Sequence, residues 1–388
     1  MSRALTLLLS AILCCGPACT QYHGSKPVDA PAIALSSPLQ YQVFQRRTRL
    51  DGAVVVRGSA PEAVEVEARI VGDSLAGPLS AHWRRLPFDP ATHQFRASLT
   101  TTAGGFYTVE VRATDARRAT VTETVANIGV GEVFVVSGQS NSTNYGEVPQ
   151  QTQTKMVTSF DGATWVLASD PQPGTQDHST KGSFIPVFGD ALYRKYQVPI
   201  GIASVGHGST SVRQWLPAGT PADNMPTMTR FIARRPDGVL VSDGTLFNGM
   251  MLRIRQLGPH GFRALLWHQG ESDAHQPPAH EISATTYASM MKLLIRATHK
   301  QAGWDFPWFV AQATYHTPDD PACPPIRDAQ RSLWQSGVAL EGPDTDTLTS
   351  AYRQNGGKGT HFNDAGLNAH GELWADKVSR YLDAVLVK

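Results

Sequence analysis

The hydrophobic rhythm of the chain changes near residue 130. From about Tyr41 to Ile128, apolar and polar residues alternate in short stretches: "AVVVRG" (53–58), "VEVEARIV" (64–71), "HWRRL" (82–86), "QFRASLT" (94–100), "FYTVEVRATD" (106–115) and "TVTETVANI" (120–128). Alternation with period two, punctuated by Gly, Pro and Asp, predicts half-buried strands of an antiparallel sandwich. After "GVGE" (129–132) the apolar runs are continuous: "VFVVS" (133–137), "IGIASV" (200–205), "RALLWHQ" (263–269) and "WFVAQAT" (308–314). Amphipathic stretches at 188–196, 246–257, 284–300, 326–335 and 363–386 separate them. Strands without a solvated face, spaced by helices, predict a parallel sheet covered on both sides. The expected architecture is therefore an α/β protein: a small all-β, Ig-like sandwich over 39–130, then a flavodoxin-like, doubly wound parallel sheet over 131–388.

The 388 residues hold 34 Lys+Arg against 33 Asp+Glu, a formal net charge of +1. Without a long run of like charge, neither nucleic acid nor an anionic membrane surface is the expected partner. The N-terminus reads Met-Ser-Arg, then "ALTLLLSAIL" (4–13), then "CCGPACTQ" (14–21). A positive start, a short apolar stretch and small residues after it predict an export signal over 1–19. The competing reading is a buried N-terminal helix; ten apolar residues are too few to cross a bilayer, which takes about 20. Cys14, Cys15 and Cys19 all lie in this segment, and Cys19, after Ala18, is the candidate for a lipid anchor and so for any membrane contact. Periplasmic or extracellular localisation is expected. Cys323 is the one cysteine beyond it, so no internal disulfide is expected in the mature protein. Residues 20–38, rich in Pro, Ser and Ala, read as a linker.

In parallel α/β sheets ligands bind beyond the C-terminal ends of the strands. Ser140, His207–Gly208 and Gln269–Asp273 each follow an expected strand, so three distant segments should meet in one cleft. Ser140, in "VFVVSGQSNSTN" (133–144), is either a nucleophile or a serine capping a strand-to-helix turn. His361, in the loop before the last helix, is the candidate base, with Asn363 or Asp364 able to cap that helix. His370, nine residues on, reads as surface or packing. The segment "LLWHQGESDAHQ" (265–276) has two readings. Gln269 donates to an oxyanion while Glu271 orients a histidine, or His268, Glu271, Asp273 and His275 ligate a divalent metal. The second lacks the helical His-Glu-x-x-His spacing.

"GQSN" after a strand, "ASVGHGSTSVRQW" (203–215), "WHQGESDA" (267–274) and a histidine before the C-terminal helix resemble the SGNH-type hydrolases, in the sialate O-acetylesterase and carbohydrate esterase (acetylxylan esterase-like) branch. The resemblance spans residues 131 to about 385. It implies Ser140 as nucleophile and His361 as general base, with an oxyanion hole made of the N–H groups of Ser140 and Gly208 and the amide of Gln269. Relatives place an aspartate three residues before the histidine, where this chain has Lys358. Some members of the branch use the glutamate of Gln-Gly-Glu, so Glu271 is the expected acid, followed by Asp364 and then by a Ser–His dyad. The resemblance implies no cofactor and no metal, and an acetylated carbohydrate as substrate: sialic acid, xylan or another glycan. Asn141, Arg213, Trp215, Asn248 and Arg327 are candidate sugar contacts. The alternatives are a non-catalytic glycan-binding relative and a metal-dependent hydrolase using the 268–275 cluster. Loops 144–187 and 216–245, where specificity would reside, carry no readable motif.

Overall fold

The computed structural model describes residues 32–386 except Asp223. The expected export signal, Cys14, Cys15, Cys19 and most of the expected linker lie outside the described residues. The end of that linker is structured: β1 (Ala34–Ser37) pairs antiparallel with β3 (Asp51–Ser59), and β2 (Val43–Gln45) follows it. β3 pairs with β5 (Gln94–Thr102) from Asp51 opposite Thr102 to Ser59 opposite Gln94. A second sheet joins β4 (Ala63–Val71), β6 (Gly104–Asp115) and the first half of β7 (Thr120–Gly138). Val54 and Val56 of β3, Val66 and Ala68 of β4, and Val109 and Val111 of β6 fill the space between these sheets, all fully buried.

β7 does not stop at "GVGE". From Glu132 to Gly138 the same strand carries that second sheet on into a parallel part, pairing with β10 (Ile200–Ser204) and β11 (Ala264–His268). Its glycines answer a packing demand: a Cβ on Gly131 would fall 1.9 Å from the carbonyl oxygen of Pro199. The parallel part runs β9 (Trp165–Leu167), β8 (Val157–Phe160), β10, β7, β11, β12 (Trp308–Gln312), β13 (Leu340–Asp344), with only edge strand β9 antiparallel. The molecule is thus a mixed α/β protein built on one large mixed sheet.

Period two along β7 sorts its side chains to opposite faces. Phe134 and Val136 pack with α1 (Ile185–Tyr196) and α5 (Asp364–Val385), through Phe188, Leu192, Trp374 and Val378. Val133 and Val135 face α2 (Thr245–Leu257), α3 (Ala284–Ala302) and α4 (Pro324–Gln335), through Met250, Met291 and Leu333. The first of these clusters is continuous with the interior of the N-terminal sheets. A buried charge group ties the parts together at Glu132: its carboxylate accepts from Arg46 Nε at 2.7 Å, Arg263 Nε at 2.8 Å and Gln45 Nε2 at 2.9 Å.

Candidate active site

The serine turn is built by close approach of two strands. Gly138 ends β7 at φ +127°, and a Cβ there would sit 2.0 Å from the carbonyl oxygen of His268 on β11. The Gln139 N–H donates to that same oxygen at 2.9 Å, and the chain then coils into a single 3₁₀ turn, Ser140–Ser142. Gln139 occupies the cap position, so Ser140 is not a capping residue. Its N–H stands at the first position of the turn, where no intrahelical acceptor exists. Ser142 Oγ donates to Gln139 O at 2.7 Å and Thr143 Oγ1 to Ser140 O at 3.0 Å, pinning the turn from within.

His361 is held by its own loop. Arg353 and Phe362 form a bridge, and the Gln354 N–H donates to His361 O at 2.9 Å. Between them Asn355 and Gly356 take left-handed conformations that fold the loop back. Gln354 Nε2 lies 2.9 Å from His361 Nδ1, and the ring rests on Tyr145 at 5.0 Å between centroids. Burial, with the charges of Lys181 and Arg353 adding to it, pulls the His361 imidazole down to about 4. Arg353, nearly inaccessible, clamps this loop by donating to the carbonyls of Thr360, Leu348 and Thr345 at 2.6, 2.6 and 2.9 Å.

The segments expected to converge do so. Asn141 Nδ2 donates to Glu271 Oε1 at 3.0 Å and reaches Thr360 O at 3.5 Å, joining the serine turn to the 271 segment and to the histidine loop. Gly208 packs so closely on Tyr145 that a Cβ would meet its ring at 2.8 Å. Ser140, Gly208 and His361 are therefore gathered around Asn141 and Tyr145. Among the described residues, no direct hydrogen bond joins Ser140 Oγ to the His361 ring. Such contacts commonly tighten only when substrate is bound.

Several expected roles do not match the geometry. Glu271 does not reach His361; it faces Asn141, and His268 Nδ1 at 3.7 Å, with its Oε2 buried and unpartnered. Burial pushes its carboxyl up to about 7, against the pull of its hydrogen bonds. Asp364 is turned to Gln150 Nε2, at 2.8 Å, while Lys358 is exposed; Asn363 is the α5 cap, accepting from Gly366 N–H. Gln269 is wholly buried, its Nε2 committed to Asp273 at 2.7 Å and Thr210 O at 3.0 Å, so it braces the floor of the site rather than donating into it. The Gly208 N–H is occupied by Asp177 Oδ2 at 2.6 Å.

Of the expected sugar contacts, Trp215 is fully buried, with its indole donating to Thr210 Oγ1 and its ring edge-on to Trp267. Arg213 is also buried, donating to Ser211 Oγ and His280 O. Arg327 pairs with Asp344 and Asp346 at 2.6 Å each. Asn248 is exposed on the first turn of α2. His370 packs in the core against Phe184 and Trp374.

The 268–275 cluster does not converge on one point. His268 Nε2 meets Thr345 Oγ1, Asp273 accepts from Ser211 and Gln269, and His275 turns outward to Asp320. Sequence reasoning overlooked Gln354, Tyr145, Asp177 and Arg353. None lies in a motif, and two come from loop 144–187. Gln354, seven residues before His361, reaches it through the left-handed turn, which an "NGG" sequence hints at without naming a partner.

Asn141 joins a serine turn to the histidine loop at the edge of a doubly covered sheet, and the family match makes this protein a carboxylic ester hydrolase. Residues 130–380 match the family model described as carbohydrate esterase, sialic acid-specific acetylesterase, and the chain belongs to that family. It is an esterase of acetylated carbohydrates. Among solved structures, a carbohydrate acetylesterase from Xanthomonas citri is similar at 17% identity and TM-score 0.57, over 91% of this chain and 76% of that one. A carbohydrate esterase family 2 enzyme with its carbohydrate binding domain, from Corynascus thermopiles (Myceliophthora fergusii), matches at 12% identity and TM-score 0.37, over 92% of this chain and 100% of that one. No curated protein matches.

Proposed function

We propose that this protein is an exported, serine-dependent carbohydrate O-acetylesterase working through a Ser140–His361 pair oriented by Gln354. The observation that carries the reading is the Gln354 amide 2.9 Å from His361 Nδ1. As the side chain stands, Gln354 Nε2 faces Nδ1, and the reading requires the near-isosteric amide turned over so that its oxygen takes that place. With its oxygen accepting Nδ1–H, it fixes the tautomer in which Nε2 keeps its lone pair and can take the Ser140 proton. Ser140 Oγ then attacks the acetyl carbonyl, the Ser140 N–H receives the developing oxyanion, and the sugar hydroxyl leaves with the proton from His361. Water repeats the cycle on the acetyl-enzyme. The reading needs no metal or organic cofactor. Gly208 N–H would contribute only by leaving Asp177. Sialic acid, xylan or another acetylated glycan fits the same core. We read 131–388 as the flavodoxin-like catalytic domain and 39–130 as an Ig-like accessory sandwich. Export rests on the sequence of residues 1–19.

The test is acetate release from a chromogenic acetyl ester, acetylated xylan and O-acetylated sialic acid. Ser140→Ala should lose at least about 10⁴-fold in kcat. Full activity in Ser140→Ala would end the serine mechanism, and no acetate release by the wild type from any substrate would favour a glycan-binding role.

A further inference from the structure

His275, the last residue of "GESDAH", takes no part in the site described above. Its ring sits beside His316 and Asp320, and one ligand atom from each of the three lies within 4.8 Å of the others. His275 Nε2 faces the carbonyl oxygen of Thr314. A carbonyl only accepts, so Nε2 carries the hydrogen and Nδ1 is the nitrogen left for another partner. That Nδ1 stands 2.6 Å from Asp320 Oδ2, and His316 Nδ1 stands 3.9 Å from the same oxygen. The two imidazoles stack at 5.1 Å between centroids and 26° between planes, so their Nδ1 edges address one carboxylate together. A positive centre between these atoms, a proton or a cation, is required to offset the lone pairs.

We propose that His275, His316 and Asp320 form a binding site for a divalent transition metal of the zinc type. Two imidazoles and one carboxylate suit that ion, leaving a fourth position to water. The His275 Nε2–H to Thr314 carbonyl bond is the second-sphere contact that ligating histidines commonly make, fixing both tautomer and ring plane. Tetrahedral coordination at about 2.0–2.2 Å sets ligand atoms about 3.3 Å apart, so Asp320 opens slightly from His275 while His316 moves in. Asp320 and His316 are half exposed and free to do so. The turn carrying them is closed by Asp320 N–H donating to Thr317 O at 3.1 Å, which presets the two side chains on one side.

The site lies against the histidine loop: Thr360 Oγ1, one residue before His361, donates to His316 O at 2.9 Å. A bound ion would fasten the segment after Gln-Gly-Glu to the turn that supports Thr360, acting as a clamp beside the histidine loop and not as a reactant.

The experiment uses full-length protein stripped with chelator, then titrated with Zn²⁺ by calorimetry and with Co²⁺ by visible absorption. One equivalent should bind with a Kd of about 10⁻⁶ M or tighter, Co²⁺ should show intense tetrahedral bands, and Zn²⁺ should raise Tm. His316→Ala and Asp320→Asn, both at exposed positions, should each weaken binding at least tenfold and lose the Zn²⁺-dependent rise in Tm. Absence of saturable binding, or equal binding by both variants, overturns the site. Hydrolysis is read separately: a fall in the stripped enzyme that Zn²⁺ restores fits the clamp, while the serine mechanism is judged by Ser140→Ala in the Zn²⁺-loaded protein, so the two readings fail independently.

Discussion

At the scale of single residues, the side chain that meets the His361 ring nitrogen is a neutral amide, Gln354. Gln354 can orient His361 but offers no charge to stabilise the imidazolium, and Lys181 and Arg353 oppose that charge. With the imidazole held down to about 4, the acid limb of kcat/KM should fall near that pH rather than near 6.5. Gln354→Glu puts an anion beside Nδ1 and should move the limb up by about one pH unit or more. An unmoved limb would remove Gln354 from its positioning role.

Glu271 makes an independent prediction. Its carboxyl is raised from 4.5 to about 7, so the folded protein holds this proton more tightly than the unfolded chain. The stability it contributes is present below about pH 4.5 and is lost as pH rises through 7. His361 and His268, lowered to about 4 and about 3, have the opposite sign: their contribution is present above about 6.5 and is lost as pH falls. Glu271→Gln keeps a neutral side chain at every pH. Between pH 5 and pH 8, urea unfolding should show the variant gaining about 1–3 kcal/mol relative to wild type.

At the scale of elements, the join between β7 and the serine turn is where position is decided. Strand β7 passes β11 so closely at Gly138 that only a residue without a side chain fits, and φ +127° suits glycine alone. Gly138→Ala should cost about 2–5 kcal/mol through overlap and backbone strain together, and should displace Ser140. Circular dichroism melts and kcat measured on the same preparation test this; a variant with unchanged Tm and kcat would contradict the close approach. The helices were legible because their apolar positions recur with the helical period, and their ends fall near the expected ones. β1, β2, β8, β9 and β13 were not. They are short, or, like "LEGPD" of β13, carry Gly and Pro that mimic loop, and only pairing with a neighbour makes them strands.

At the scale of the whole molecule, the N-terminal sheets and the large sheet share a strand, a hydrophobic cluster and a buried charge group. Glu132 is inaccessible and answers two arginines from separate parts of the chain. Glu132→Ala leaves those guanidiniums uncompensated, and Arg46 lies in the interior. It should destabilise the protein by about 3–5 kcal/mol. Because β7 runs through both sheets, wild-type unfolding in urea should remain a single transition by fluorescence and by circular dichroism. Two separated transitions would show that the shared strand does not couple them.

Hydrophobic period by itself determined the class of this fold: alternation before residue 130 makes half-solvated sheets, and continuous apolar runs after it make a doubly covered parallel one. Ser140, His207–Gly208 and Gln269–Asp273 were likewise readable as segments that meet, because strand ends in such a sheet open at the same edge. Tertiary structure alone decided what each side chain does there. Gln269, Trp215 and Arg213 look like substrate contacts in sequence, yet they are consumed by bonds and packing below the floor. Gln354 looks like loop and meets the histidine. Period and motif are properties of neighbouring residues; hydrogen-bond partners are chosen by backbone segments far apart in the chain, and burial then sets the charge each group can carry.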